Sequence, residues 1–308
     1  MLQFILPFSI AFIVSLVATP LIARLAFLIG AVDKPNARKV HNSYMPRLGG
    51  LAIFAGFCTA TVTLVGQDPK IAGLLFGSTV VLLFGIADDI RGISPWMKLL
   101  GQFMAALIVI YFGIKIDYVN NPLNGFFQLG ALGIPLTIFW IMGITNAVNL
   151  IDGLDGLASG ISAIALLTFA VIAYQSNLNT AAQLSLILVG AILGFLRYNF
   201  YPAKIFLGDS GSMFLGFIIS GISAYGIVNG APPYAFIISI LALGVPILDT
   251  FLAIIRRYHD KRPIFQADKE HIHHRLLSRG LTHRQAVLVI YGISLCLSAS
   301  ALWVWSIL

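Results

Sequence analysis

The sequence predicts an all-α integral membrane protein that forms a single polytopic domain over residues 1–308, with about ten transmembrane helices. Three observations support this prediction. Hydrophobic residues make up 58% of the chain and charged residues only 10%, the mean hydropathy is +0.92, and long apolar runs recur along the whole length. A soluble domain carries about 25% charged residues, so most of this protein's surface must face lipid.

Ten apolar runs approach or reach the roughly 20 residues that a membrane-spanning helix needs. The first run lacks a basic leading segment and a small-residue cleavage site, so we interpret it as a retained span and not as a signal peptide. In order, the runs cover residues 2–29, 48–66, 71–87, 99–114, 132–151, 157–176, 181–200, 212–229, 234–255 and 286–308.

The basic residues give this bundle an orientation. Ten spans put both termini on one side and divide the connections into two sets. Of the 19 Lys and Arg, all except Lys70 and Lys115 lie in or beside one set. The positive-inside rule makes this set cytoplasmic and places both termini outside. The net charge of +7 is therefore an orientation signal and does not indicate nucleic-acid binding.

The acidic residues gather on the same side. Of the 12 Asp and Glu, all except Asp68 and Asp117 lie in or next to the cytoplasmic connections. Carboxylates that repel one another at one face imply a cation, a cationic substrate or a substrate that arrives with a metal. We therefore predict a functional cleft on the cytoplasmic side.

An Asp-Asp pair closes the third run. Asp88 and Asp89 would be costly at a helix end near lipid unless a cation or a proton neutralised part of their charge. The alternative is a solvated helix end. Lys98, which opens the next run, could be an interfacial anchor or could hold a phosphate as a point charge.

The fifth run ends in the sequence Asn-Ala-Val-Asn-Leu-Ile-Asp-Gly-Leu-Asp-Gly over residues 146–156. If the helix persists, Asn149 and Asp152 share a face, and the following glycines let the backbone pass close to a ligand. Together with Asp155, these residues offer oxygen ligands that suit Mg²⁺ or Mn²⁺ better than zinc. The alternative is that the Asp-Gly pairs only mark turns.

The sequence Gly-Asp-Ser-Gly-Ser at residues 208–212 precedes the eighth run. Its small residues would leave backbone N–H groups at a helix start, where phosphate oxygens bind well. Alternatively, Asp209 is a helix N-cap with no ligand. The Asp-Ser-Gly order is also similar to serine-hydrolase motifs, but the strand-turn-helix context of those motifs is missing.

The longest cytoplasmic connection, about residues 256–285, contains His-Ile-His-His-Arg at residues 271–275. In a helix, His271, His274 and Arg275 would share one face with Ser278, which predicts an amphipathic interfacial helix that can bind phosphate. A zinc site and a solvated helix face are the competing interpretations.

Asp249 lies inside the ninth run and is a secondary candidate. An acid within a membrane span is a functional candidate by default. The alternative is that Asp249 pairs with a base near the membrane surface, and Arg256 follows two helical turns later.

These motifs, in this order and on one side, resemble the polyprenyl-phosphate N-acetylhexosamine-1-phosphate transferase family, or glycosyltransferase 4, which includes the MraY, WecA and TagO types. The resemblance covers essentially the whole chain. It implies a bundle of ten or eleven helices with a cytoplasmic cleft. It also implies transfer of a sugar 1-phosphate from a UDP-sugar to undecaprenyl phosphate with release of UMP and with Mg²⁺ as the cofactor, for which Mn²⁺ could substitute.

The resemblance also implies roles for individual residues. The expected metal ligands are Asp209, as the principal one, and Asn149. The expected catalytic acids are Asp88 and Asp89, where the lipid phosphate is received or deprotonated, and Asp152 and Asp155, at the nucleotide end of the cleft. The expected binding residues are Lys98 for phosphate, Asn199 as a polar cleft residue, Phe206 under the uracil, and His271, His273, His274 and Arg275 on the diphosphate and sugar side.

The His-Ile-His-His-Arg form is similar to the WecA and TagO branch, which uses UDP-N-acetylglucosamine. We therefore expect transfer of N-acetylglucosamine 1-phosphate as the first membrane step of a cell-envelope polysaccharide, such as teichoic acid or O-antigen, at the cytoplasmic face of the bacterial inner membrane. The expected partners are UDP-N-acetylglucosamine, undecaprenyl phosphate and membrane lipid, and a homodimer is left open.

Two alternatives are kept. An MraY-like phospho-MurNAc-pentapeptide transferase would have a His-His-His run and would accept a peptide-bearing sugar. An ion-coupled transporter would carry acids near the bilayer midplane and an internal two-fold repeat. In this sequence most acids cluster at one interface and the two halves share no motif, so we favour the enzyme.

Overall fold

The structure is a computed structural model that describes residues 1–33, 44–65, 68–120, 126–231, 235–261 and 270–307. Over these ranges the chain is mainly helical. The helices are α1 Leu2–Ile29, α2 Gly49–Leu64, α3 Pro69–Arg91, α4 Pro95–Tyr111, α5 Gly133–Ile151, α6 Leu157–Gln175, α7 Asn179–Asn199, α8 Gly208–Val228, α9 Ala235–Ala242, α10 Gly244–His259, α11 Ile272–Ser278 and α12 His283–Ile307.

Two short hairpins, which the sequence analysis did not predict, interrupt this helical pattern. The strands are β1 Val32–Asp33, β2 Met45–Pro46, β3 Tyr118–Asn120 and β4 Phe126–Gln128, and a 3₁₀ turn, Gly130–Leu132, precedes α5. β1 pairs with β2 and β3 with β4, both antiparallel. Both hairpins lie in connections between apolar runs.

The prediction of an all-α membrane protein is confirmed in its coarser form. Each predicted apolar run is occupied by one helix, or by two in the case of α9 and α10. Among the described residues, seven helices are long and apolar enough to cross a membrane, or eight if α9 and α10 form one span. The helices α2 and α4 are apolar but shorter, with 16 and 17 residues.

The ninth predicted run is broken. α9 and α10 meet at a bend of 77°. α10 then continues toward the basic residues of its last turn, Arg256, Arg257 and His259. The sequence predicted one continuous span here, because hydropathy does not report the direction of a helix.

Capping residues set where α3 and α4 begin. The side chain of Asp68 accepts a hydrogen bond from Lys70 N at 2.9 Å, and Pro69 occupies the first turn of α3. In the same way, Ser94 accepts from Met97 N at 3.3 Å ahead of Pro95 and α4. Because α3 runs on to Arg91, Asp88 and Asp89 lie in its last turn and not after it.

The centre of the bundle is α8, whose residues from Ser210 to Ile227 are buried. It packs against α2, α3, α5, α6, α7 and α9. Small residues allow this close packing: a Cβ at Gly50 would lie 2.2 Å from Gly211 Cα, and a Cβ at Gly85 would lie 2.4 Å from Ser210 Cα. The first turn of α8 is therefore held between α2 and α3.

Candidate active site at the first turn of α8

Three charged side chains from three helices meet at the start of α8. Lys98 Nζ, in the first turn of α4, lies 2.9 Å from Asp88 Oδ2 and also contacts Asp209 Oδ2. The other oxygen of Asp88 accepts a hydrogen bond from Ile93 N at 2.8 Å. We call Asp88, Lys98 and Asp209 the lysine cluster. One ammonium group serves two carboxylates, so the cluster keeps a formal negative charge that a further cation can neutralise.

Asp89 has a different environment from its neighbour Asp88. Its carboxylate accepts hydrogen bonds from Asp209 N at 2.9 Å and from Ser210 N at 3.0 Å, and Arg47 Nε lies 3.8 Å away. The side chain of Asp89 has no exposed surface. Asp89 therefore caps the first turn of α8 from another helix and places Asp209. The alternative in which Asp209 is itself the N-cap is wrong, because Asp209 lies inside the first turn of α8.

Gly208 makes this arrangement sterically feasible. Its φ is +75°, a conformation that L side chains rarely adopt. A Cβ at this position would also lie 1.9 Å from the carbonyl oxygen of Arg47 and 2.5 Å from Asp89 Oδ2. The glycine before Asp209 is therefore required by backbone conformation and by space.

Asn149 reaches the same turn from the end of α5. Its Nδ2 donates to Ser212 Oγ at 2.8 Å, and Ser212 Oγ donates to the carbonyl oxygen of Gly208 at 3.0 Å. No described residue donates a hydrogen bond to Asn149 Oδ1. Within the described residues, the Asn149 amide oxygen, which the sequence predicts as a metal or diphosphate ligand, therefore accepts no hydrogen bond from the protein.

A cavity of about 170 Å³ adjoins the lysine cluster, and Asp209 belongs to both. This is much larger than the roughly 30 Å³ that one water molecule takes. Four acids line the cavity, namely Asp33, Asp152, Asp155 and Asp209, and Arg47 and Phe206 also line it. We call it the acidic cavity.

The charge in the acidic cavity perturbs one of these acids. The pKa of Asp152, which follows the last residue of α5, is raised well above its ordinary value because the carboxyl is buried, and the carboxylates of Asp209 and Asp89 raise it further. Carboxylates this close to one another favour proton uptake or a bound cation. The cavity is therefore suited to a ligand that carries a cation with it, such as an anion with a bound metal ion.

Two predicted cleft residues, Asn199 and Asp155, form hydrogen bonds mainly with backbone groups. Asn199 accepts from Gly156 N at 3.1 Å and donates to the carbonyl oxygen of Ile205 at 3.0 Å. Asp155 Oδ2 accepts from Ala203 N at 3.0 Å. These bonds tie the loop after α5 to the loop before α8. Both residues line the acidic cavity, and their contact with a substrate stays a prediction.

The histidine segment, residues 271–275, differs from the predicted stripe. α11 begins only at Ile272, and His271 precedes it and faces Asp249. His273, which the predicted stripe leaves out, is 2% exposed, whereas His274 and Arg275 are exposed. The prediction that His271, His274 and Arg275 share one face is therefore wrong.

His273 is the member of the segment that meets the loop between α5 and α6. A Cβ at Gly153 would lie 2.1 Å from His273 Nε2, so the imidazole packs directly on that glycine. Burial, together with the neighbouring rings of His274 and His271, lowers the pKa of His273 to about 4. In the absence of a bound anion, His273 is therefore uncharged at neutral pH.

Sequence reasoning missed Arg47 and Asp33. Arg47 Nη1 lies 3.6 Å from Asp33 Oδ1, and both residues line the acidic cavity. The pairing of β1 with β2 brings the two ends of this connection together. The available signal was an acid and a base at the two ends of the connection between the first and second apolar runs. The sequence analysis used the base only to predict the orientation of the bundle.

The ligand chemistry fits a magnesium ion. Asp88 and Asp209 offer carboxylate oxygens and Asn149 an amide oxygen, and Mg²⁺ commonly binds one or two carboxylates together with substrate phosphates. Among the described residues there is no group of three or more His, Cys, Asp or Glu that could hold a metal ion without such help.

Comparison with known proteins places this site in a family. The model of "Glycosyl transferase family 4" matches residues 71–227, which include Asp88, Asn149 and Asp209. The chain belongs to glycosyl transferase family 4. The resemblance predicted from the motifs is thus confirmed.

Relatives in the family extend the match to most of the chain. The chain is 45% identical over 304 residues to the "Probable undecaprenyl-phosphate N-acetylglucosaminyl 1-phosphate transferase" of Bacillus subtilis, covering 98% of this chain and 85% of the relative. It is 36% identical to the "Decaprenyl-phosphate N-acetylglucosaminephosphotransferase" of Mycobacterium tuberculosis, covering 91% and 77%. It is 29% identical to the "Undecaprenyl-phosphate alpha-N-acetylglucosaminyl 1-phosphate transferase" of Escherichia coli K12, covering 87% and 74%.

Proposed function

We propose that this protein transfers N-acetylglucosamine 1-phosphate from UDP-N-acetylglucosamine to undecaprenyl phosphate, with release of UMP. The observation that supports this proposal best is the lysine cluster beside the acidic cavity, inside the segment that matches the family model. The names of the relatives supply the sugar and the polyprenyl acceptor. The product would start a cell-envelope polysaccharide such as teichoic acid or O-antigen.

We further propose ten membrane-spanning segments in the bacterial inner membrane, with both termini outside and the site at the cytoplasmic face. In this topology α2 and α4 are spans, and α9 and α10 form one broken span. The distribution of Lys and Arg supports this orientation. The substrates require it as well, because a sugar nucleotide cannot enter lipid and a polyprenyl tail must remain there.

Charge repulsion is the main obstacle to this reaction, since a lipid phosphate and a nucleotide diphosphate together carry three or more negative charges. Mg²⁺ bound at Asp209 and Asn149 would supply a Lewis acid that neutralises the diphosphate. Lys98 carries an ammonium group to the same place, and Arg47 lines the adjoining cavity. These side chains hold positive charge where the leaving UMP gains negative charge.

The chemical step that we propose is direct attack of the lipid phosphate on the β-phosphorus. The second pKa of a phosphate monoester is about 6, so at neutral pH most of the acceptor is already a dianion and needs no base. Of the two acids predicted to position it, Asp88 is the better candidate because its side chain is partly exposed, whereas that of Asp89 has no exposed surface and caps the first turn of α8. A covalent phosphoryl-aspartate intermediate is the rival mechanism.

The other two functions have less support. Family membership favours a transferase over an ion-coupled transporter. The three relatives described above carry N-acetylglucosamine in their names, which favours that sugar over MurNAc-pentapeptide.

The test is release of UMP by the purified protein from UDP-N-acetylglucosamine, undecaprenyl phosphate and Mg²⁺. We expect release that requires the acceptor lipid, stops with a chelator and is restored by added Mg²⁺ or Mn²⁺. Release only from the UDP-MurNAc-pentapeptide donor would move the protein to the MraY branch. No release from either donor would contradict the proposal.

The direct mechanism has its own test. Donor labelled in the β-phosphate is incubated with the protein and Mg²⁺ without acceptor lipid. We expect no label on the protein after denaturation. Label on the protein, released on addition of undecaprenyl phosphate, would establish the covalent route.

A further inference from the structure

Asp249 has contacts that the proposed reaction does not explain. It lies on α10 beyond the 77° bend, and its side chain is 9% exposed. One carboxylate oxygen accepts a hydrogen bond from Ile272 N at 2.8 Å, and the other lies 2.8 Å from His271 Nδ1. Asp249 therefore connects the broken helix to the start of α11.

The base that the sequence suggested as the partner of Asp249 pairs elsewhere. Arg256 Nε lies 3.1 Å from Glu270 Oε2. The contacts of Asp249 with the described residues near α11 are with one imidazole nitrogen of His271 and one backbone N–H of Ile272.

This contact determines the state of the imidazole. An ionised carboxylate only accepts hydrogen bonds, so Nδ1 of His271 carries the hydrogen that lies between them. A histidine that donates Nδ1–H to a carboxylate is held in one ring orientation and leaves Nε2 for its other neighbours. Asp249 therefore fixes both the orientation and the protonated nitrogen of His271.

A path of contacts leads from His271 to the acidic cavity. The rings of His271 and His273 stack with centroids 5.9 Å apart and planes 2° apart. His273 in turn packs on Gly153, which lies between the cavity residues Asp152 and Asp155. A displacement of His271 would therefore move the imidazole that borders the cavity wall.

We infer that Asp249 is a positioning residue, which holds His271 and the first turn of α11 so that the histidine segment faces the diphosphate end of the sugar-nucleotide donor. This inference rests on the proposed function. Asp249 can do this beside an anionic donor because both of its oxygens are engaged by N–H groups.

Two substitutions separate the parts of this contact. Asp249→Asn keeps an oxygen for Ile272 N–H but sets an amide N–H opposite Nδ1, which favours the other tautomer of His271. Asp249→Ala removes both bonds. We expect the donor KM to rise about tenfold in Asp249→Asn and further in Asp249→Ala, while the acceptor KM stays within about twofold of wild type.

A merely structural role gives a different result. Partial unfolding would lower kcat in proportion to the folded fraction and would leave both KM values unchanged. The melting temperature of each variant is measured alongside. Asp117→Asn is the matched control, since it makes the same change at a residue that pairs with Lys115. Asp117 lies in the connection between α4 and α5, at the opposite ends of these helices from Lys98 and Asn149.

The double variant tests the route through His271. In the His271→Ala background, Asp249→Asn should change the Kd for UDP-N-acetylglucosamine by less than about twofold, because both changes act on one contact. Calorimetry gives this Kd without turnover. If the two effects add, or if Asp249→Asn keeps the wild-type donor KM in an active enzyme, the positioning role is wrong and the proposed function stands. If wild type releases no UMP, the proposed function itself fails.

Discussion

The two ends of α3 carry similar residues in opposite arrangements. At its first turn, Asp68 accepts from Lys70 N at 2.9 Å and from Tyr225 OH at 2.8 Å. Lys70 Nζ donates to Asn229 Oδ1 at 2.8 Å, and Asn229 Nδ2 donates to the carbonyl oxygen of Tyr225 at 2.7 Å. One acid and one base therefore take part in a single closed network that joins α3 to the end of α8.

At the last turn of α3 the charges do not balance in this way. Asp88 shares Lys98 with Asp209, and further acids line the adjoining cavity. Such an excess of carboxylates is costly in the absence of a ligand, whereas the network at the other end is complete without one. A lysine next to an aspartate at a helix end does not by itself indicate a site. The surplus of acids around one cation, next to a cavity, does.

The largest effect is expected from Asp209→Asn. This change removes the carboxylate that belongs to both the lysine cluster and the acidic cavity, and it leaves Lys98 with Asp88 alone. We expect UMP release to fall by at least about 10³-fold, because a lost metal ligand and a repositioned lysine together forfeit several kcal/mol of transition-state stabilisation. The measurement is initial rate at saturating substrates. Activity within tenfold of wild type would show that the lysine cluster and the acidic cavity are not the active site.

Substitutions of the adjacent acids should separate chemistry from positioning. Asp88→Asn is expected to lower kcat by about 10²-fold with little change in the melting temperature. Asp89→Asn keeps one oxygen for the first turn of α8 but loses the charge opposite Arg47, and we expect it to cost about 1–3 kcal/mol of stability as well as activity. Thermal unfolding and initial rates are measured on both. Equal melting temperatures for the two variants would contradict the assignment of a chemical role to Asp88 and a positioning role to Asp89.

The pH dependence of stability offers a smaller test. Because the pKa of His273 falls from its ordinary 6.5 to about 4 in the folded protein, the unfolded chain binds a proton more readily. Stability should therefore be lost as the pH falls from about 6.5 toward 4, by at most about 3 kcal/mol from this group. His273→Leu should flatten the dependence. His259→Leu, at an exposed histidine, should leave it unchanged.

The smallest effect is expected at the other end of α3. Asp68→Asn keeps an acceptor for Lys70 N and for Tyr225 OH and removes only a charge. We expect the rate of UMP release to stay within about twofold of wild type and stability to fall by about 1 kcal/mol or less. A loss of activity as large as that of Asp88→Asn would erase the contrast between the two ends.

The sequence predicted which residues form the site better than it predicted how these residues contact one another. Asp88, Lys98, Asn149 and Asp209 were all predicted, and the structure brings them together at one helix start. The sequence did not predict that Asp88 and Asp89 have different partners, Lys98 for the first and the backbone of α8 for the second. Consecutive residues on a helix do not face the same neighbour, so only the packing of α3 against α8 determines which acid reaches the backbone of Asp209. Arg47 and Asp33 were missed for the same reason, because a two-residue strand pairing brings them to the cavity.

The sequence by itself determined that the chain is a helical membrane protein and which motifs carry oxygen ligands, and it predicted that the acids and bases gather on one side. These are properties of composition and of local order, and they do not depend on how the helices pack. Only the tertiary structure decided which carboxylate shares Lys98, which one caps α8, and which imidazole meets the cavity wall. Those outcomes depend on contacts between residues far apart in the chain, such as Asp89 with Ser210 and Asp249 with His271. They are fixed by helix packing and by the need of every buried carboxylate for a donor.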